Sequence, residues 1–82
     1  MDNVNDIIEM LKDRLVEATR KTARIILDQD DSAKNGVPSL YSFAELIEAQ
    51  ELEGQLRSIL YAITGVNLYW LETDQEFVEL PY

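Results

Sequence analysis

Seam positions in the first third of the chain recur at alternating spacings of four and three: Val4, Ile8, Leu11, Leu15, Ala18, Thr22 and Ile25. That is a heptad-type seam about three repeats long and predicts an amphipathic helix over residues 1–28, widened by Ile7, Ile26 and Leu27. Asn3 is suited to cap it, with Asp6 in the first turn where the helix dipole favours an acid. Glu17 and Lys21 are spaced as a favourable i,i+4 pair. The seam has two competing uses: it packs on a later helix of the same chain as an antiparallel hairpin, or it pairs with a second copy through Ile8, Leu11 and Leu15.

The second periodic stretch, Ser42 to Gly65, organises the rest. Ser42 followed by Glu45 is a capping box, with Tyr41 and Leu46 placed as a hydrophobic staple. Gly65 suits the left-handed residue that closes a helix. Inside the segment the apolar face switches. Phe43 and Ile47 point one way, whereas Leu52, Leu56, Ile59 and Ile63 form a stripe on nearly the opposite side. Either the helix breaks near residues 49–54, or one straight helix touches different bodies with its two halves. Gly54, unfavourable by about 1 kcal/mol inside a helix, tilts the reading toward a break.

Residues 29–41 read as a connector, with turn signals at Asn35-Gly36 and Pro38. Asp28, Asp30 and Ser32 fall at the first three ligand positions of an EF-hand loop, but Ala33 stands where glycine is needed and Ser39 where the bidentate glutamate belongs. A solvated acidic loop is the better reading. After Gly65 the period changes to two. Val66, Leu68 and Trp70 alternate with Asn67, Tyr69 and Leu71, then Phe77 to Leu80 resumes after a polar break, predicting a β-hairpin over residues 66–82 with a helical tail as the alternative. A two-residue turn at Asp74-Gln75 would oppose Leu71 to Val78 and Tyr69 to Leu80, giving one apolar face. The whole is expected to be a single small α+β, α-rich domain spanning residues 1–82: a helical hairpin with a C-terminal β-hairpin.

Composition narrows function mainly by exclusion. Among 82 residues there is no cysteine and no histidine. Thiolate nucleophiles, disulfides, cysteine zinc sites and the commonest general base are therefore missing. No stretch has the length and apolarity of a membrane span, and the opening residues do not read as a signal peptide, so a cytoplasmic protein is expected. The net charge of −9 argues against direct contact with nucleic acid or an anionic membrane. The charge is unevenly placed. Lys12 to Arg24 holds five basic and two acidic residues, a local +3, whereas Asp28 to the end holds eleven acidic residues against Lys34 and Arg57, a local −9. The basic run is expected to lie alongside the glutamates of the second helix.

Carboxylates are the only catalytic material. Glu45-x-x-Glu48 and Glu76-x-x-Glu79 resemble in spacing the paired magnesium ligands of all-α nucleotide pyrophosphohydrolases, but the second pair ends in Glu79 rather than aspartate. It also sits in a stretch read as strand, where positions three apart face opposite ways. That leaves a magnesium-dependent nucleotide hydrolase as a minor alternative, and the chain is read as non-catalytic, with no cofactor and no metal. The favoured function is an acidic protein-interaction module. Glu45, Glu48, Glu51, Glu53, Glu72, Asp74 and Glu76 would meet a basic surface on another protein. In its sharper form the chain is a small inhibitor, of the kind phages and mobile elements encode, that occupies a nucleic-acid-binding site by imitating phosphate charge. Against that form, the helical glutamates spiral rather than line one rail. The alternative is a self-assembling structural protein, a homodimer joined through Ile8, Leu11, Leu15 or a hairpin contact at Trp70.

Overall fold

A computed structural model describes residues 3–81, and Met1, Asp2 and Tyr82 lie outside the described residues. Helix α1 spans Asn3–Asn35, helix α2 spans Phe43–Thr64, and strands β1 (Leu68–Leu71) and β2 (Glu76–Glu79) form one antiparallel pair. The fold is thus the α-rich helical hairpin with a C-terminal β-hairpin that the periodicity predicts.

The seam of α1 is satisfied within the chain. Leu11, Leu15, Ala18, Thr22 and Ile25 are buried against Ala49, Glu53, Leu56 and Leu60 of α2, and Ile8 and Phe77 pack on the margin of this core. Each fully buried leucine or isoleucine contributes about 1.5–3 kcal/mol. Ile8, Leu11 and Leu15 are therefore consumed by the intramolecular hairpin and do not form a seam for a second copy. Val4 is exposed beyond the end of the core.

The first helix runs a further two turns past Asp28. Residues 29–35 carry no apolar stripe, but Lys34 pairs with Asp30 at 3.1 Å and Asn35 donates to Asp31, both at i,i+4. Gly36 then closes the helix in the left-handed region (φ 68°), its amide bonded to the Ser32 carbonyl at 3.0 Å. Asn35-Gly36 is thus a helix end rather than a mid-connector turn, and Asp28, Asp30 and Ser32 lie on a helix, not in a loop. Asp28 ties down the short connector, accepting from the Leu40 amide at 2.9 Å and from the Ser39 hydroxyl.

Helix α2 begins at the expected capping box. The Glu45 amide donates to the Ser42 hydroxyl at 3.1 Å and the Ser42 amide donates to the Glu45 carboxylate at 2.8 Å. Gly65 closes it with φ 74°. Between these caps the helix is unbroken. A Cβ at Gly54 would meet nothing within 4 Å, so this glycine marks neither a kink nor a close approach. The switch of apolar face near residues 49–54 does not break the helix, because the buried row is Ala49, Glu53, Leu56 and Leu60, with a carboxylate at one seam position. Counting Glu53 as a core residue restores a continuous heptad stripe. Of the apolar stripe read from the sequence only Leu56 is inside. Leu52, Ile59 and Ile63 lie on one flank, and Phe43 and Ile47 near the other, all exposed.

The β-hairpin is closed by residues 72–75, two more than a two-residue turn, so Tyr69 opposes Val78 and Trp70 opposes Phe77. The register moves by two, which keeps each side chain on its expected face. The face laid on the helices is the one carrying Leu68, Trp70 and Phe77, while Leu71 and Leu80 of the apolar face expected from sequence are exposed.

The basic run does not bridge to the glutamates of α2; two of its members, Lys12 and Arg20, hold this hairpin instead. Lys12 lies 5.4 Å from the Phe77 ring centroid, Arg20 5.8 Å from Trp70, and Arg57 of α2 4.5 Å from Tyr69. Such contacts contribute about 0.5–1 kcal/mol each near the surface. No ion pair forms between Glu17 and Lys21. The hairpin covers one side of the helix pair, and the opposite side stays open.

Candidate interaction surface

The acidic residues proposed as a binding set do not form one surface. Glu53 is only 9% exposed. The Thr22 hydroxyl donates to its carboxylate at 2.8 Å, and Arg57 stands 4.0 Å away on the next turn. It is a core residue. Glu45 is engaged by the cap. Glu72 is bound at the hairpin turn: Arg20 Nε lies 2.9 Å from both carboxylate oxygens, and Trp70 Nε1 donates at 3.1 Å. Gln75 adds its side-chain amide to Glu72 and accepts from Arg20 at 2.8 Å, which holds Gln75 itself in the left-handed region at φ 54°. A non-glycine residue rarely adopts that conformation, and here its side chain is fixed at both ends. Asp74 and Glu76 are exposed at this turn, whereas Glu48 and Glu51 are exposed on α2. Glu76 and Glu79 stand at the two ends of β2 on opposite faces, so the second carboxylate pair does not converge. Among the described residues no group of three or more acidic side chains is placed to hold a metal ion. Among the same residues no helix is long and apolar enough to cross a membrane.

Partial burial pushes the Glu72 pKa up, but hydrogen bonds from Arg20, Trp70 and Gln75 and the charge of Arg20 outweigh it, leaving the carboxyl below the ordinary glutamate value. A carboxyl depressed on folding adds stability that is complete above its unfolded pKa and is lost as pH falls through the lower folded value. Acidification through that window is expected to loosen the hairpin from α1. Trp70, the only tryptophan, reports this by fluorescence. In Glu72→Gln the acid-side change should disappear, and an identical pH profile for the variant would show that Glu72 does not hold the turn.

The feature that stands out is the side of the helix pair not covered by the hairpin. Its α1 edge borders the hairpin turn, where Glu17, Lys21 and Arg24 line one depression with Glu72. A second heptad row runs beside the buried one on each helix. On α1 it holds Ile7, Met10, Arg14, Glu17, Lys21 and Arg24, and on α2 it holds Glu48, Leu52, Gln55 and Ile59, with Ile63 alongside. The buried Thr22–Glu53 bond sets the antiparallel level of the two helices. Arg14, Glu17 and Lys21 accordingly share one depression with Leu52 and Leu56. Ile7, Met10, Leu52, Ile59 and Ile63 are each between 42 and 47% exposed. The face is apolar at the end where α1 begins and charged toward the connector, with a basic edge on α1 and an acidic edge at Glu48 on α2.

Sequence reasoning missed this face for a definite reason. The sequence places Leu52, Ile59 and Ile63 in one stripe with Leu56, because that stripe carries no charge and so looks more buried than a row containing Glu53. The signal that separates them is the spacing 49, 53, 56, 60, visible once a glutamate is admitted to the seam. Comparison with protein-family models, with curated proteins and with solved structures gives no match for this chain.

Proposed function

We propose that the chain is a non-catalytic protein-interaction module that acts through the open face of its helical hairpin. The observation that carries this reading is the apolar row of Leu52, Ile59 and Ile63 beside Ile7 and Met10, left exposed in a chain whose buried apolar set is small. The chain is also long for its size. Its extents are 52 × 22 × 21 Å and its radius of gyration is 14.9 Å, against about 12 Å for a compact domain of this length. Helix pairs of this kind gain stability when a further surface covers their exposed flank.

The partner that suits the face is a protein with an apolar centre and a basic rim, which would meet Glu48 and, at the outer edge of α2, Glu51. This retains the acidic-module reading in a narrower form, with two carboxylates at the edge of an apolar contact in place of seven spread over the molecule. Imitation of a phosphate backbone is less well supported, because Glu53 and Glu72 are turned inward to Thr22 and Arg20. A cysteine-free composition suits a reducing cytoplasm.

The test is affinity capture from a lysate of the source organism. Wild type is compared with a Leu52→Asp/Ile59→Asp variant whose helicity is checked by circular dichroism. Proteins held by wild type, released in part by salt and absent from the variant, support the reading. An unchanged set of retained proteins overturns it.

A further inference from the structure

We infer that the occupant of the open face is a second copy of the chain, bound about a two-fold axis parallel to the helices. The inference rests on the reading above and adds the identity of the partner.

The charge pattern carries it. The partner's rim must be basic to meet Glu48, and the basic run of this acidic chain lies on the other edge of the same face. Among the described residues Arg14, Lys21, Arg24, Glu17 and Glu48 take part in no ion pair. A surface that bears one sign on one edge and the other sign on the opposite edge is self-complementary under a two-fold rotation, in which residue i meets j and j meets i. A two-fold axis along the helices keeps every residue at its own level and exchanges left for right. It sets α1 of one copy over α2 of the other, so Lys21 and Arg24 approach Glu48 twice over. The apolar end, Ile7 and Met10, then meets Ile59 and Ile63. Glu17 falls opposite the Gln55 amide. Asp28, the next position of the row, is already engaged by the connector, accepting from the Ser39 hydroxyl and the Leu40 amide.

The other in-plane axis, across the helices, is disfavoured by the same pattern. It would stack the apolar end of one copy on the charged end of the other, leaving Lys21, Arg24 and Glu48 facing apolar side chains with no opposite charge to meet. Size is compatible with this arrangement. Residues 7–28 of α1 extend over about 30 Å at 1.5 Å per residue. Two helix widths make the face roughly 20 Å across, and a specific dimer buries about 800 Å² per partner. The product is a four-helix arrangement with both β-hairpins on the outside.

Sedimentation equilibrium on the purified chain tests this, with three variants checked for helicity. Wild type should be a dimer, and Met10→Asp/Ile59→Asp a monomer. Lys21→Glu/Arg24→Glu and Glu48→Lys should each associate at least tenfold more weakly than wild type, and their one-to-one mixture should recover dimer, because each like-charge contact becomes an opposite-charge contact. A wild-type monomer, an Ile59 variant that still dimerises, or folded charge variants that fail to complement would each overturn the second copy. If wild type is monomeric while the lysate capture still depends on Leu52 and Ile59, the face binds another protein and only the self-pairing is lost.

Discussion

Leu60→Ala should lower the unfolding free energy by about 2–5 kcal/mol, since it empties a fully buried leucine site where neighbouring side chains relax only in part. A domain of this length holds about 4–12 kcal/mol in total, so the variant should lose a large part of its stability. Urea denaturation followed by circular dichroism reads the loss directly. The informative control is one residue away. Ile59→Ala, measured in dilute solution, should cost less than about 1 kcal/mol, because Ile59 is 45% exposed and little packing is removed. A break in the second helix, with Ile59 and Ile63 in the core, makes the opposite prediction. If Ile59→Ala proved as costly as Leu60→Ala, the seam through Ala49, Glu53, Leu56 and Leu60 would be wrong.

The second large effect is at the one polar contact inside that seam. Thr22→Val removes the hydroxyl that lies 2.8 Å from the Glu53 carboxylate and 3.1 Å from the Ala18 carbonyl, and leaves the buried carboxylate with only Arg57 at 4.0 Å. Hydrogen bonds to charged groups contribute about 1.5–3 kcal/mol, and the variant should be destabilised by that order. Glu53→Leu in the wild-type background should be neutral or stabilising, because it replaces a buried charge by an apolar side chain of similar volume. In the double variant most of the Thr22→Val loss should vanish. A coupling energy below about 0.5 kcal/mol in the cycle would mean that the two side chains act independently. The pair also has a geometric role. A single polar contact in an otherwise apolar seam disfavours sliding one helix past the other, since any shift leaves the carboxylate unsatisfied. This fixes which residues stand level across the open face, and so how Lys21, Arg24 and Glu48 are presented.

These two tests mark the boundary between local and tertiary information. The order of elements was legible from sequence because its causes are local. The four-three spacing of Leu11, Leu15, Ala18 and Ile25, the Ser42–Glu45 box, the left-handed Gly65 and the change to period two after it each act within a few residues, and each is found in the structure. The errors share one cause, which is that the sequence does not say which partner an individual side chain meets. Residues 29–35 continue the helix through i,i+4 pairs between polar side chains, which carry no apolar periodicity. Tyr69 and Leu71 are as apolar as Leu68 and Trp70, but only contact with the two helices selects the inner face of the hairpin. Arg20 and Lys12 looked like partners for the glutamates of α2 until the fold set Glu72 and the aromatic rings beside them.

The candidate surface was the least legible part. By itself the sequence determined that this is a helical hairpin with a β-hairpin tail, strongly acidic, with one basic stretch and no histidine or cysteine. Only the tertiary structure decided that a glutamate lies inside while Leu52, Ile59 and Ile63 of the same helix lie outside. The physical reason is that a helix buries whichever stripe its neighbour covers. Glu53 is tolerated within because Thr22 meets it there, and Leu52, Ile59 and Ile63 remain outside because the β-hairpin covers the other side.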